Sequence, residues 1–134
     1  MANNNLPEFR FFYFTNFYEE TVSFYRDTLE LNIIRSWDRS EFDKGTLFTS
    51  PNGLGIIEIE KGEQPNFACA GLYIEVENVD EWYDLALKKN IKILAPLSNT
   101  TYGHRSFRFE DPNGFEIGLF KYNSEKILPV LDAN

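Results

Sequence analysis

Glu58 and Glu60 lie in a run, Ile57-Glu58-Ile59-Glu60, that alternates apolar and acidic residues. On a strand, neighbouring side chains point to opposite faces, so both carboxylates share one face and both isoleucines the other. The same parity groups other residues able to do chemistry. Gly71, Tyr73 and Glu75 oppose the apolar set Ala70, Leu72 and Ile74. Glu116, Gly118 and Phe120 oppose Phe115, Ile117 and Leu119. In the aromatic run Phe9–Phe14 the single charge, Arg10, prefers an open face and takes Phe12 and Phe14 with it. The resulting set is aromatic and acidic, with gaps at two glycines. It suits a flat, cationic or amphipathic small molecule held by stacking and cation–π contact. Trp37 and His104 are further candidates for ligand contact, although a histidine beside a glycine also fits a solvated turn. An ion pair between Arg10 and Glu58 is expected, because an unpaired buried charge is costly. No nucleophile triad, phosphate loop or CxxC pair is present. The expected catalytic and cofactor sets are therefore empty.

Composition narrows the partners. The chain has 134 residues, enough for one domain with a substantial core. Its formal charge of −8 argues against nucleic acid or an anionic membrane as partner. The one cysteine, Cys69, allows no intrachain disulfide and reads as a small strand residue. The N-terminal stretch MANNNLPEF has neither a basic nor an apolar leader segment. No apolar run reaches the roughly 18 residues of a membrane span. The expectation is a cytoplasmic protein.

The elements that must position these side chains follow from periodicity. Phe9–Phe14 reads as a strand, Phe17–Leu29 as a helix with Thr15 or Asn16 as cap, and Leu31–Trp37 as a second strand. Asp38–Asp43 reads as a polar turn, and Thr46–Thr49 and Ile56–Glu60 as strands joined by Ser50-Pro51-Asn52-Gly53. After the linker (61–67) the order repeats. Ala70–Val76 is a strand, and Val79–Lys89 a helix with Asn78 or Asp80 near its cap and Trp82 in its apolar stripe. Ile91–Leu97 is a strand interrupted by Pro96. Last comes a hairpin, in which Phe107 and Phe109 alternate with Ser106, Arg108 and Glu110 before Asp111-Pro112-Asn113-Gly114. Pro-Asn-Gly recurs at the same place in each half, an internal duplication. The two turns differ by one residue in register, which a bulge at Gly55 would absorb. The segments 35–44 and 97–104 are expected as loops, and the tail 123–134, with Ile127, Leu128, Val130 and Leu131, as a segment packing on the body or a second subunit.

An aromatic strand, D-P-N-G and an apolar strand near the chain end resemble the last hairpin of the vicinal oxygen chelate superfamily. That group contains glyoxalase I, the bleomycin-resistance proteins and the extradiol dioxygenases. The resemblance spans roughly Phe9–Tyr122. It implies an α+β glyoxalase-like fold: two tandem βαβββ modules (about 8–60 and 68–122) in one domain, forming a cup-shaped, partly open mixed sheet with helices outside. Metalloenzymes of that group place ligands at points that fall, by motif spacing, on Arg10, Glu58, Gly71 and Gly118 here. Only Glu58 among these can bind a metal, since guanidinium has no lone pair and glycine no side chain. The expectation is a metal-free protein of the bleomycin-resistance type, a homodimer sequestering an aromatic or cationic compound. The alternative is a metal-dependent lyase, isomerase or dioxygenase with an unusual ligand set including Glu58 and His104.

Overall fold

The computed structural model describes residues 7–68 and 70–125. Cys69 and the apolar tail residues Ile127, Leu128, Val130 and Leu131 lie outside the described residues. Module one runs β1 (Arg10–Thr15), α1 (Tyr18–Ser23), a π-helical turn (Phe24–Thr28), β2 (Ile33–Ser40), β3 (Asp43–Thr49) and β4 (Ile56–Lys61). Module two runs β5 (Gly71–Glu75), α2 (Val79–Lys88), β6 (Ile93–Asn99), β7 (His104–Glu110) and β8 (Glu116–Tyr122). Each module forms one four-stranded mixed sheet, in the orders β1-β4-β3-β2 and β5-β8-β7-β6. In each, the first strand pairs parallel with the last. This is the α+β architecture of two tandem modules that the resemblance implies. Among the described residues no helix is long and apolar enough to cross a membrane.

Two expected loops are largely strand in the first case and partly strand in the second, where 100–103 stay as a turn. Segment 35–44 is a hairpin in which β2 continues to Ser40 and β3 begins at Asp43. Alternating partners on β3 satisfy its backbone, which outweighs its polar composition. Likewise β6 continues through Pro96 to Asn99, with register shifts that accommodate the missing N–H. Pro96 is tolerated because β6 lies at a sheet edge. Neither helix carries the side-chain cap expected of it, although Thr15 Oγ1 accepts from Phe17 N at 2.9 Å just before α1.

The helix-side faces of both sheets feed one hydrophobic core. Phe48, Ile57 and Ile59 join Phe107, Phe109, Ile117 and Leu119, all at 2% exposure or less. The modules are also tied by a polar staple. Asp111 is buried in the second turn, and its Oδ2 accepts from Tyr13 Oη and, at 2.8 Å, from Tyr25 Oη. Its Oδ1 accepts from Asn113 N and Phe115 N. Both Pro-Asn-Gly turns close on a positive φ, 76° at Gly53 and 79° at Gly114, which glycine adopts without steric cost.

Candidate functional site

Burying one face of each sheet leaves the other face open, and strand parity decides what stands on it. On the first sheet Arg10, Phe12 and Phe14 of β1 stand beside Glu58 and Glu60 of β4, with Trp37 on β2. On the second sheet Gly71, Tyr73 and Glu75 of β5 stand beside Glu116, Gly118 and Phe120 of β8, with His104 at the start of β7. Aromatic rings stay exposed on both: Phe12 at 57%, Phe14 at 46% and Tyr73 at 41%. Exposed rings on neighbouring strands are uncommon on a surface that touches only water.

The first face is electrostatically tense. Arg10 Nη1 meets Glu58 Oε1 at 2.9 Å, and Arg10 Nη2 meets Glu8 at 2.7 Å. Burial pushes the Glu60 carboxyl up to about 7, helped by a proton shared with Glu58 and by the charges of Glu58 and Asp43. Burial acts the same way on Glu58. There, however, the hydrogen bonds from Glu60 and Arg10 outweigh it and lower the pKa. Glu58 is thus the charged member of the pair and Glu60 the proton carrier. Trp37 lies against Gly45, where an added Cβ would come within 2.1 Å of its ring. The Arg35 and Arg39 guanidinia lie over it at 5.3 and 5.8 Å, so its own arginines already occupy the ring.

The second face carries a ladder of rings. Tyr73 stacks on Phe120 at 4.3 Å, and Phe120 stacks on His104 at 4.4 Å. Tyr73 Oη and His104 Nδ1 are 3.1 Å apart. Tyr102 and Tyr122 meet the His104 ring edge-on. His104 is therefore a half-buried strand residue within a ring cluster and not a solvated turn histidine. Beside the ladder, Arg108 pairs with Glu116 at 3.2 Å. A pocket of about 230 Å³ lies over Gly71 and Gly118, lined by Tyr73, Tyr102, Arg108 and Glu116. Arg108 and Tyr102 were not among the candidates from sequence. Arg108 was within reach, since it alternates with Phe107 and Phe109 and must share the face of Gly118.

The family model described as "Glyoxalase/Bleomycin resistance protein/Dioxygenase superfamily" matches residues 9–119. The chain belongs to this superfamily. No curated protein matches it significantly. Among solved structures, TnmS3, an antibiotic binding protein from Streptomyces sp. CB03234, superposes with a TM-score of 0.72 at 17% identity, covering 90% of this chain and 99% of its own. A glyoxalase/bleomycin resistance protein/dioxygenase from Alicyclobacillus acidocaldarius gives 0.72 at 18% identity, covering 92% and 96%. The fosfomycin resistance protein FosX from Listeria monocytogenes gives 0.62 at 18% identity, covering 90% and 94%. These likenesses establish the superfamily's fold.

The residues that the resemblance assigns to metal-ligand positions, Arg10, Glu58, Gly71 and Gly118, do not fit a divalent ion. Arg10 offers only donors and is committed to Glu58. At Gly118 the Tyr73 ring takes the space of a side chain, leaving 2.5 Å to an added Cβ. At Gly71 an added Cβ would meet the Glu116 carbonyl at 3.0 Å. Among the described residues no three His, Cys, Asp or Glu side chains are grouped to hold a metal.

Proposed function

We propose that this protein binds a flat, cationic or amphipathic aromatic compound and sequesters it without chemistry. The observation that carries this reading is the Tyr73–Phe120–His104 ladder above a glycine floor. A planar ligand can continue such a stack, and each ring-on-ring contact contributes about 0.5–1.5 kcal/mol beyond burial. The acidic pair Glu58 and Glu60 on the other open face supplies the complement for a cation. Antibiotic binding by TnmS3, a protein of the same fold, supports the reading.

The proposal includes a homodimer, because each sheet leaves one face with exposed rings that a second copy would cover. In the proposed homodimer, the first face of one chain closes over the second face of its partner. Exposed Phe12 and Phe14 would then be covered by the ring ladder. Action in the cytoplasm is part of the proposal, and the charge of −8 accords with a small molecule and not nucleic acid as the partner.

The test is a fluorescence titration of the protein with proflavine and with bleomycin, alongside light scattering to obtain the mass. Saturable quenching at micromolar ligand and a dimer mass are expected. A monomer at micromolar concentration, or no quenching by either compound, would overturn the reading.

A further inference from the structure

The duplication creates two related seams where the modules meet. In the first, β1 meets the start of β8, and rings fill it. Phe11 stacks on Phe115 at 4.8 Å, and Phe67 packs on Tyr13 at 4.7 Å and on Phe115 at 4.6 Å. In the second, β5 meets the start of β4. Turn hydrogen bonds fix which residues correspond. Asp111 N donates to Phe115 O, and Phe115 N donates to Asp111 Oδ1. Ser50 N donates to Gly55 O, and Gly55 N donates to Ser50 Oγ. Gly55 therefore stands where Phe115 stands, and Leu72 and Ile74 stand where Phe11 and Tyr13 stand. The first turn has one extra residue, Leu54, which projects into solvent at 82% exposure.

With glycine in the place of Phe115, the second seam holds a cleft of about 290 Å³. Ile57, Leu72 and Ile74 line it with aliphatic surface, and Phe9, Phe11 and Tyr73 border it with rings. Its polar neighbours are already committed. The Ser50 hydroxyl bonds Asn52, and the Asn52 amide donates to the Glu75 carbonyl.

We propose that this seam cleft, which borders the second open face and shares Tyr73 with it, is a second binding site that takes a small neutral aromatic ring of phenol size. The same turn that seats the Phe115 ring in the first seam is repeated here without the ring, so a free ring completes the packing that the chain completes for itself on the other side. Apolar walls favour an uncharged ring, because a charge would lose hydration there without a partner.

The experiment is methyl NMR of the full chain titrated with phenol and, separately, with benzoate. Phenol is expected to produce saturable shifts at the methyls of Ile57, Leu72 and Ile74, and benzoate none. The shifts should persist in Glu58→Gln, which alters the open face alone, and vanish in Leu72→Trp, which places a ring in the cleft. Should Leu72→Trp fail to fold, Ile74→Phe serves the same purpose. The proposal is overturned by absence of saturable shifts, by shifts that Glu58→Gln removes, or by equal response to benzoate. It is also overturned if ligand-free protein shows nuclear Overhauser contacts from Leu72 to Leu6 or to a second copy, since the cleft would then be filled by the protein itself.

Discussion

Arg10 Nη1 lies 2.9 Å from Glu58 Oε1, an ion pair that joins β1 to β4 on the first open face. The pair satisfies both charges without an ion. Treatment with EDTA is therefore expected to leave the melting temperature and proflavine affinity unchanged, and elemental analysis to show less than stoichiometric metal. A fall of several degrees after chelation would contradict this. Glu58→Gln should cost at most about 1 kcal/mol of stability, because Arg10 is 38% exposed and keeps Glu8 as partner.

Glu60 predicts a pH dependence with a definite sign. Its folded pKa, about 7, is above the ordinary value of 4.5, so between these values the folded chain holds a proton that the unfolded chain has released. Stability from this group is full below about 4.5 and declines as pH rises through 7. The groups around it are Glu58 and Asp43, which oppose its ionisation, and Arg10, which reaches it only through Glu58. Urea melts at pH 5, 6, 7 and 8 should show this decline. Glu60→Gln, neutral throughout, should flatten it and be more stable than the parent at pH 8. Affinity for a cationic ligand should move the opposite way, rising with pH as Glu60 ionises. Parallel slopes in parent and variant would refute the assignment.

The buried carboxylate of Asp111 offers a sharper stability test. Its pKa is raised by burial against the opposing hydrogen bonds of Tyr13 and Tyr25. Asp111→Ala strands two buried hydroxyls and two backbone N–H groups, each costing about 1–3 kcal/mol when unpaired. A loss of at least about 3 kcal/mol is expected from the shift in urea midpoint. Asp111→Asn should lose less, since its oxygen can serve the backbone donors while its amide donates to a tyrosine oxygen. Equal losses in the two variants would show that the polar staple has another basis.

Much of this arrangement was legible in the sequence because period-two alternation records which face is buried. Ile57 and Ile59 placed Glu58 and Glu60, and Phe115, Ile117 and Leu119 placed Gly118 and Phe120. The one-residue mismatch between the turns was legible, but the extra residue is Leu54 in the turn and not a bulge at Gly55, which takes the place of Phe115 in the turn hydrogen bonds. Side-chain partnerships across strands were less legible. Nothing local to His104 signals that Phe120 and Tyr73 will stack beside it, because those contacts span strands far apart in sequence. Trp37 was legible as a candidate for ligand contact, yet its cover by Arg35 and Arg39 depends on a hairpin that polar composition disguised as a loop.

The ring ladder yields the most direct functional test. Tyr73→Phe keeps the ring and removes only the hydroxyl contact to His104, so proflavine affinity should stay within about twofold. Tyr73→Ala removes an exposed stacking face and should weaken binding about tenfold, consistent with a loss of about 1–1.5 kcal/mol. Because Tyr73 is 41% exposed, the alanine variant should remain folded, which circular dichroism can establish. Gly118→Val separates platform from composition. It alters no ring, yet the Tyr73 ring lies 2.5 Å from where the new Cβ must go and would have to swing away from Phe120. Loss of affinity in Gly118→Val comparable to Tyr73→Ala would place the ligand on the stack. Full affinity in both variants, with the fold intact, would mean that the ligand sits elsewhere and that the ladder is packing alone.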